Sequence, residues 1–279
     1  MSQTAVNPHS KPPSSPAAML KTYWRNWRLM LQLVQREVIS RYRGSIMGLT
    51  WSFFHPLLML MVYTFVFSVV FKARWAGTEG GHAGFAVFLF VGLIVHGIFA
   101  ESINRAPSLI LANTNYVKRV VFPLEILTGV AMGSALFHAF VSLLVLLVVQ
   151  MFDSGIPVTA IYFPLVLVPL VLMTMGLAWG LAAMGVYIRD IGYVVQVITT
   201  IMMYVSPVFF PTEAMPEAYR HWMYINPLTF IIEQSRSVLI LGGQPNWLGL
   251  IGYTAIGLVV AWMGFWCFQK MRRGFADVL

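Results

Sequence analysis

The chain has 279 residues, of which 58% are hydrophobic and only 10% are charged, and its net charge is +8. A soluble domain carries about 25% charged residues, so the composition excludes a water-soluble protein and points to a membrane chain. The charge is spread along the sequence rather than gathered on one soluble domain, which speaks for topology and anionic lipid and against nucleic acid.

In chain order, residues 1–19 are polar and rich in Pro and Ser, and read as a disordered tail. Over 20–38, Leu20, Trp24, Trp27, Leu31, Val34 and Val38 recur at helical spacing, with Lys21, Arg25, Arg28 and Arg36 on other faces. That pattern predicts an amphipathic helix lying in the headgroup region. Runs free of Asp, Glu, Lys and Arg then lie at 44–71, 80–100, 126–152, 154–188, 191–212 and 237–269. A membrane helix needs about 20 mostly apolar residues. The runs predict six spans, at about 49–71, 83–104, 124–151, 160–186, 191–210 and 247–268. The run "FHAFVSLLVLLVVQMF" (137–152) shows none of the alternation of a membrane barrel strand. The expected fold class is therefore an all-α membrane protein, one transmembrane domain over 20–279.

An even number of spans puts both termini on one side. With the N-terminus inside, only Lys72, Arg74, Arg220 and Arg236 fall outside, a strong positive-inside bias. Between spans, Glu101 and Arg105 stand four apart and can pair across a turn. The segment 106–118 is too short to span; it reads as a brief helix after Pro107, closed by Asn113 and Asn115, then a basic elbow at Lys118 and Arg119. Outside, "INPLTF" sets Asn226 as a helix cap and Pro227 at a first helical position. Two short helices, 213–224 and 227–240, are expected there, the second with Glu233 and Arg236 a turn apart. They would dip toward the outer leaflet without crossing, as a lid over an opening.

Catalytic devices are missing from the sequence. The only Lys followed by Ser or Thr is Lys21, with no phosphate-loop glycines near it. The six histidines are scattered and Cys267 is the single cysteine, so no zinc constellation or intrachain disulfide is available. His55 and His138, inside apolar runs, read as packing or pore-lining groups. Few ionisable groups sit deep in the spans, which places the energy source on another chain.

Three stretches, "REVISRYRGSIMGLTWSFFHPLLMLMVYTFVFSVVFKARW" (36–75), "NTNYVKRVVFPLEIL" (113–127) and "YIRDIGYVVQVITTIMMYVSPVFFP" (187–211), resemble the membrane subunits of bacterial ABC exporters for polysaccharides. "VFKARW" and "VKRVVFPLEIL" look nearest to the O-antigen type, ahead of capsule and teichoic-acid exporters. The resemblance implies a multi-pass protein of the bacterial inner membrane that is not itself an enzyme. It implies pairing with a second copy and docking of two ATP-binding cassette subunits, which would hold ATP and Mg; this chain would carry no cofactor. The cargo implied is an undecaprenyl-linked polysaccharide. On that likeness 20–38 is an interface helix, 106–118 a coupling segment with Asn113, Asn115, Lys118 and Arg119, and 213–240 an external gate with Asn226, Pro227, Glu233 and Arg236. The aromatic lining of the channel would fall to Trp51, Phe54, Tyr63, Tyr193 and Tyr204. Arg41 and Arg43, at the inner mouth of the first span, would meet lipid-linked phosphate. Other expectations stay open: export of a drug or small lipid by the same fold, a membrane glycosyltransferase, or a passive channel.

Overall fold

A computed structural model describes residues 14–71, 84–119, 122–153 and 155–279, and all regular structure among them is helical. Residues 1–13 of the expected tail, and Lys72 and Arg74 at the expected outer end of the first span, lie outside the described residues. The rest of the tail is not loose. Helix α1 (Pro16–Tyr42) starts there, because the Ser15 hydroxyl accepts from the Ala18 amide at 3.2 Å and Pro16 occupies a first-turn position. A Ser cap before proline is a helix-start signal, and it adds four residues to the helix expected from 20.

The α1 apolar stripe also divides. Trp24 is 85% exposed, and Leu20 and Leu31 are exposed, whereas Tyr23, Met30 and Val34 press into α5 (Ile126–Asp153). They fit because Gly129 and Gly133 leave a notch. A Cβ at Gly129 would stand 2.6 Å from the Tyr23 ring, and one at Gly133 2.6 Å from Val34. Small residues four apart on one helix face let a second helix approach closely.

After α1 the chain turns on Gly44 and Gly48, both at positive φ (87° and 52°), a conformation that glycine adopts without a Cβ clash. Helix α2 (Trp51–Tyr63) passes through Pro56, which is buried, and continues as a π-helical stretch over Thr64–Val70. Helix α3 (Gly84–Arg105) is the centre of the fold, enclosed by α5, α6 (Phe163–Tyr187), α7 (Ile191–Val205) and α9 (Pro227–Leu239). Two single 3-10 turns, Ala106–Ser108 and Leu111–Asn113, and the short α4 (Thr114–Arg119) connect α3 to α5. The brief helix expected to close at Asn113 and Asn115 is therefore displaced. Asn113 precedes α4 and Asn115 lies inside it.

Helix α7 stops five residues short of the expected 210. Ser206, preceding Pro207, is forced to an extended ψ of 154°. After α7 a 3-10 turn (Thr212–Ala214) leads to α8 (Glu217–Ile225), then α9. Helix α10 (Trp247–Met271) packs along α6, with Gly176 of one against Gly264 of the other at backbone-to-backbone distance, and α11 (Phe275–Val278) closes the chain.

Among the described residues, five stretches are long and apolar enough to cross a bilayer: Gly48–Phe67, Gly84–Ser108, Ile126–Asp153, Val158–Tyr187 and Trp247–Val278. The apolar α7 has 15 residues, so it extends about 22 Å against a hydrocarbon core of roughly 30 Å.

Candidate functional site

The chain just beyond α2 and the chain just beyond α7 meet through aromatic rings. Tyr204 stacks on Phe209 at 5.7 Å, and Phe209 faces Phe67 at 6.5 Å. Phe67 also stacks on Phe85 of α3 at 5.2 Å. On α7, Tyr193, Val197, Ile201 and Tyr204 follow helical spacing and all stay exposed, Tyr193 at 74% and Tyr204 at 60%. On α2, Trp51 (41%) and Phe54 are exposed as well. Tyr63 differs from the other four candidate rings. It is partly buried against Phe85, Phe88 and Leu89, where the end of α2 leans on α3. The molecule thus presents two exposed apolar faces, one on α2 and one on α7, held together just beyond their C-terminal ends by Phe67 and Phe209.

The turn that follows α7 is fixed by Arg236. This side chain is 4% exposed and donates to three main-chain oxygens: Nε to Phe88 at 2.9 Å, Nη1 to Pro207 at 2.5 Å and Nη2 to Val208 at 2.9 Å. Pro207 removes a backbone donor at the end of α7, and the turn carbonyls that follow find their donor in the guanidinium. Asn226 caps α9 by accepting from the Leu228 amide at 3.0 Å and donates from Nδ2 to the Ser206 hydroxyl at 2.8 Å. Pro227 follows in the first turn, and Glu233 is half-buried on the same helix. Gln150 and Thr159 donate to the carbonyls of Leu239 and Val238 at 2.9 and 2.8 Å, holding the other end of α9.

Near the C-terminal end of α1, Arg41 pairs with Glu101 of α3 at 2.7 Å and touches the His138 ring of α5 at 3.0 Å. His138 in turn lies 3.0 Å from Glu101. Arg105 pairs closely with Glu37 of α1, while its distance to Glu101 is 3.9 Å. The expected pair across one turn of α3 is therefore the weakest link of a network that joins α1, α3 and α5. The Tyr42 ring meets His138 edge-on at 6.1 Å, and burial raises its hydroxyl above the ordinary tyrosine value. Arg41, expected with Arg43 to meet lipid-linked phosphate, pairs with Glu101 while its side chain stays 41% exposed, and Arg43 is exposed.

Beside this network, Arg36, Glu37, Ser40, Arg105, Ser108 and Asn113 line a groove of about 350 Å³ between α1 and the segment that connects α3 to α5. The Asn113 amide donates to the Leu109 carbonyl at 2.9 Å, and Asn115 is exposed. Lys118 and Arg119 lie on α4 by their backbone; their side chains are outside the described residues. No group of metal-ligating residues occurs among the described residues.

One residue had no role in the sequence reading. The main-chain oxygen of Glu125 accepts from the Tyr23 hydroxyl and from Trp179 Nε1, each at 3.0 Å. Its carboxylate takes Arg272 at 2.8 Å, and Arg272 also donates to the Phe122 carbonyl at 3.0 Å. Burial holds the Tyr23 hydroxyl well above its usual range, so it stays a neutral donor. Glu125 thus joins α1, α6 and the end of α10. Its signal was its place in "VFPLEIL", an acid amid apolar residues.

A family model described as ABC-2 type transporter matches residues 28–240. An O-antigen export system permease protein of Myxococcus xanthus is 29% identical over 252 residues, covering 89% of this chain and 94% of that protein. One from Klebsiella pneumoniae is 27% identical over 258 residues, 90% of this chain and 95% of its own length. A polysialic acid transport protein of Escherichia coli is 25% identical over 237 residues, covering 83% and 89%.

Proposed function

The chain belongs to the ABC-2 type transporter family and is the transmembrane subunit of a polysaccharide exporter; from that premise we propose that its cargo is a lipid-linked, O-antigen-like glycan. The observation that carries the reading is the pair of exposed faces on α2 and α7, with Trp51 and Phe54 on one and Tyr193 and Tyr204 on the other. Sugar rings have apolar C–H faces that stack on aromatic rings. Contacts of that kind are weak and repeat along a chain, so a long glycan can slide without being trapped. Two copies of this chain would set these faces opposite one another around one channel.

In this reading α7 is a sixth crossing. The turn at 206–211 completes its path to the outer surface, shielded by α8 and α9 as backbone of irregular form must be at that depth. Both termini are then cytoplasmic, as the basic residues favour, and the membrane is the bacterial inner membrane. Separate ATPase subunits, holding ATP and Mg, would press on α1 and the inner connector with Asn113, Asn115, Lys118 and Arg119. The pairs Arg41–Glu101 and Arg105–Glu37 would carry that push to α3. Arg43 is the arginine left to greet an undecaprenyl-linked phosphate, because such a phosphate would have to compete with Glu101 for Arg41. Asn226, Pro227, Glu233 and Arg236 serve the gate by fixing α9 and the turn before it.

The test uses the chain co-purified with its ATPase in lipid nanodiscs, with ATP turnover measured with and without lipid-linked polysaccharide. Stimulation by an O-antigen-type glycan that is lost in Trp51→Ala, Tyr193→Ala and Tyr204→Ala supports the reading. Stimulation by a polyanionic capsule chain alone moves the cargo to the capsule class. Turnover indifferent to any glycan removes the cargo and the channel lining together.

A further inference from the structure

A second opening lies on the other side of α7 from its tyrosine face. Val195, Ile198, Thr199 and Met202 form one wall, with α6 and α10 opposite and Phe99 and Ile103 of α3 as floor. The cleft holds about 440 Å³ and is apolar throughout. Its depth comes from glycine. Gly176 and Gly264 bring α6 and α10 into backbone contact, and at Gly180 an added Cβ would meet no atom within 4 Å. An apolar cleft of this size in a multi-pass membrane protein does not hold water stably, because water needs polar partners.

The helices that wall the cleft end in basic residues, five positions beyond Met184 on the α6 side and six beyond Gly264 on α10. The Tyr187 hydroxyl donates to the Met271 carbonyl at 3.0 Å, which staples the inner ends of α6 and α10 together. Next to that staple in sequence stand Arg189, in the turn that joins α6 to α7, and Lys270 and Arg273 at the end of α10, all exposed. Lys270 lies over the Trp266 ring at 5.0 Å. Asp190 offsets one of these charges. An apolar slot with a cationic rim matches an acyl chain with an anionic head at its end.

We infer that this cleft binds an anionic bilayer phospholipid, one acyl chain lying between α7 and the α6–α10 pair and the phosphate at Arg189 and Lys270. A second copy is the poorer occupant, since the proposed pairing uses the tyrosine face of α7. The bound chain props α7 away from α6 and so sets the position of that face. The assignment rests on the orientation proposed above but on neither the glycan nor ATP, and its readout involves neither.

The test is photolabelling of the full chain, in the complex in which it purifies, within phosphatidylethanolamine nanodiscs. The probe is phosphatidylglycerol bearing a diazirine near the end of one acyl chain, with adducts located by peptide mass spectrometry. Adducts are expected on residues 176–184 and 195–202. Gly180→Leu, whose Cβ would meet no protein atom within 4 Å and whose side chain would occupy the cleft, is expected to lose them, while Gly252→Leu, equally open at its Cβ on the exposed side of α10, retains them. Ile198→Trp gives the same loss by an independent route should Gly180→Leu not fold. Arg189→Gln and Lys270→Gln are each expected to lower the preference over a phosphatidylethanolamine probe about fivefold, the factor for roughly 1 kcal/mol per basic group at an anionic surface. Adducts spread evenly over all exposed helices, and unchanged in Gly180→Leu, overturn the site. Equal labelling by both probes overturns the head-group assignment. Unlabelled cleft peptides together with a cysteine at 198 that crosslinks to a second copy make the cleft a subunit interface and overturn the lipid.

Discussion

Arg236 on α9 donates its Nε hydrogen to the main-chain oxygen of Phe88 on α3 at 2.9 Å, across 148 positions of sequence. One side chain thereby ties the outer helical pair to the central helix and closes the turn after α7. Arg236→Met, which keeps the apolar stem, leaves the carbonyls of Phe88, Pro207 and Val208 without this donor. The expected loss is about 3 kcal/mol or more, since hydrogen bonds to a charged group contribute roughly 1.5–3 kcal/mol each. A thermal unfolding scan in detergent checks it. Arg236→Lys, with a point charge in place of the fork, is expected to fall between the two.

Glu125 separates into a backbone role and a side-chain role. Glu125→Gln leaves the carbonyl that Tyr23 and Trp179 use and weakens only the link to Arg272. The expected coupling in a Glu125→Gln, Arg272→Gln double-mutant cycle is about 1–3 kcal/mol. Limited proteolysis after Arg272 and Arg273 should rise in Glu125→Gln, because the segment beyond α10 loses its tether. Tyr23→Phe acts through the other role and is expected to add to Glu125→Gln rather than overlap with it.

Glu101 is the common partner of Arg41 and His138, with side-chain exposures of 19%, 41% and 18%. Glu101→Gln is expected to cost about 2 kcal/mol, less than a fully buried pair because Arg41 meets solvent. Hydrogen exchange should quicken over residues 36–43 while the middle of α5 is unchanged. In nanodiscs with the ATPase present, glycan stimulation should fall more than basal turnover. Equal loss of both would place the network in stability alone.

The notch on α5 offers a compensation test. Gly133→Ala drives a methyl into Val34 and is expected to cost about 1–3 kcal/mol, the usual penalty of overpacking. Val34→Ala opens the space again, so the double variant should recover part of the unfolding midpoint. Failure to recover would mean that α1 had already left the notch.

The helices were legible in the sequence where composition alone decides them. Charge-free runs marked the long apolar segments, and Asn226–Pro227 announced the start of α9 by a local cap. The same cap logic was present at Ser15–Pro16 and lay hidden in a tail read as disordered from its composition. What stayed out of reach were partners distant in sequence. Arg41 looked free because Glu101 and His138 lie on other helices, and Glu125 looked idle because its donors stand 102, 54 and 147 residues away. The end of α7 was misplaced for a local reason, the extended conformation that Pro207 imposes on Ser206. The exposed rings of α2 and α7 were nameable one by one, but the separation of Tyr63 from the rest depends on how α2 leans against α3.

The contact between Gly176 and Gly264 has a mechanical consequence. Two helices that touch backbone to backbone have a single relative position, for there is no side-chain cushion to compress and no rotamer to change. Helices α6 and α10 therefore behave as a stator. Helix α7 instead faces a cleft on one side and open surface on another, and α2 leaves its rings uncovered. Helices with few packed neighbours open at lower free energy than a core. The expected outcome is that a cysteine pair locking α6 to α10 leaves a transport cycle running, while one locking α7 to α6 stalls it.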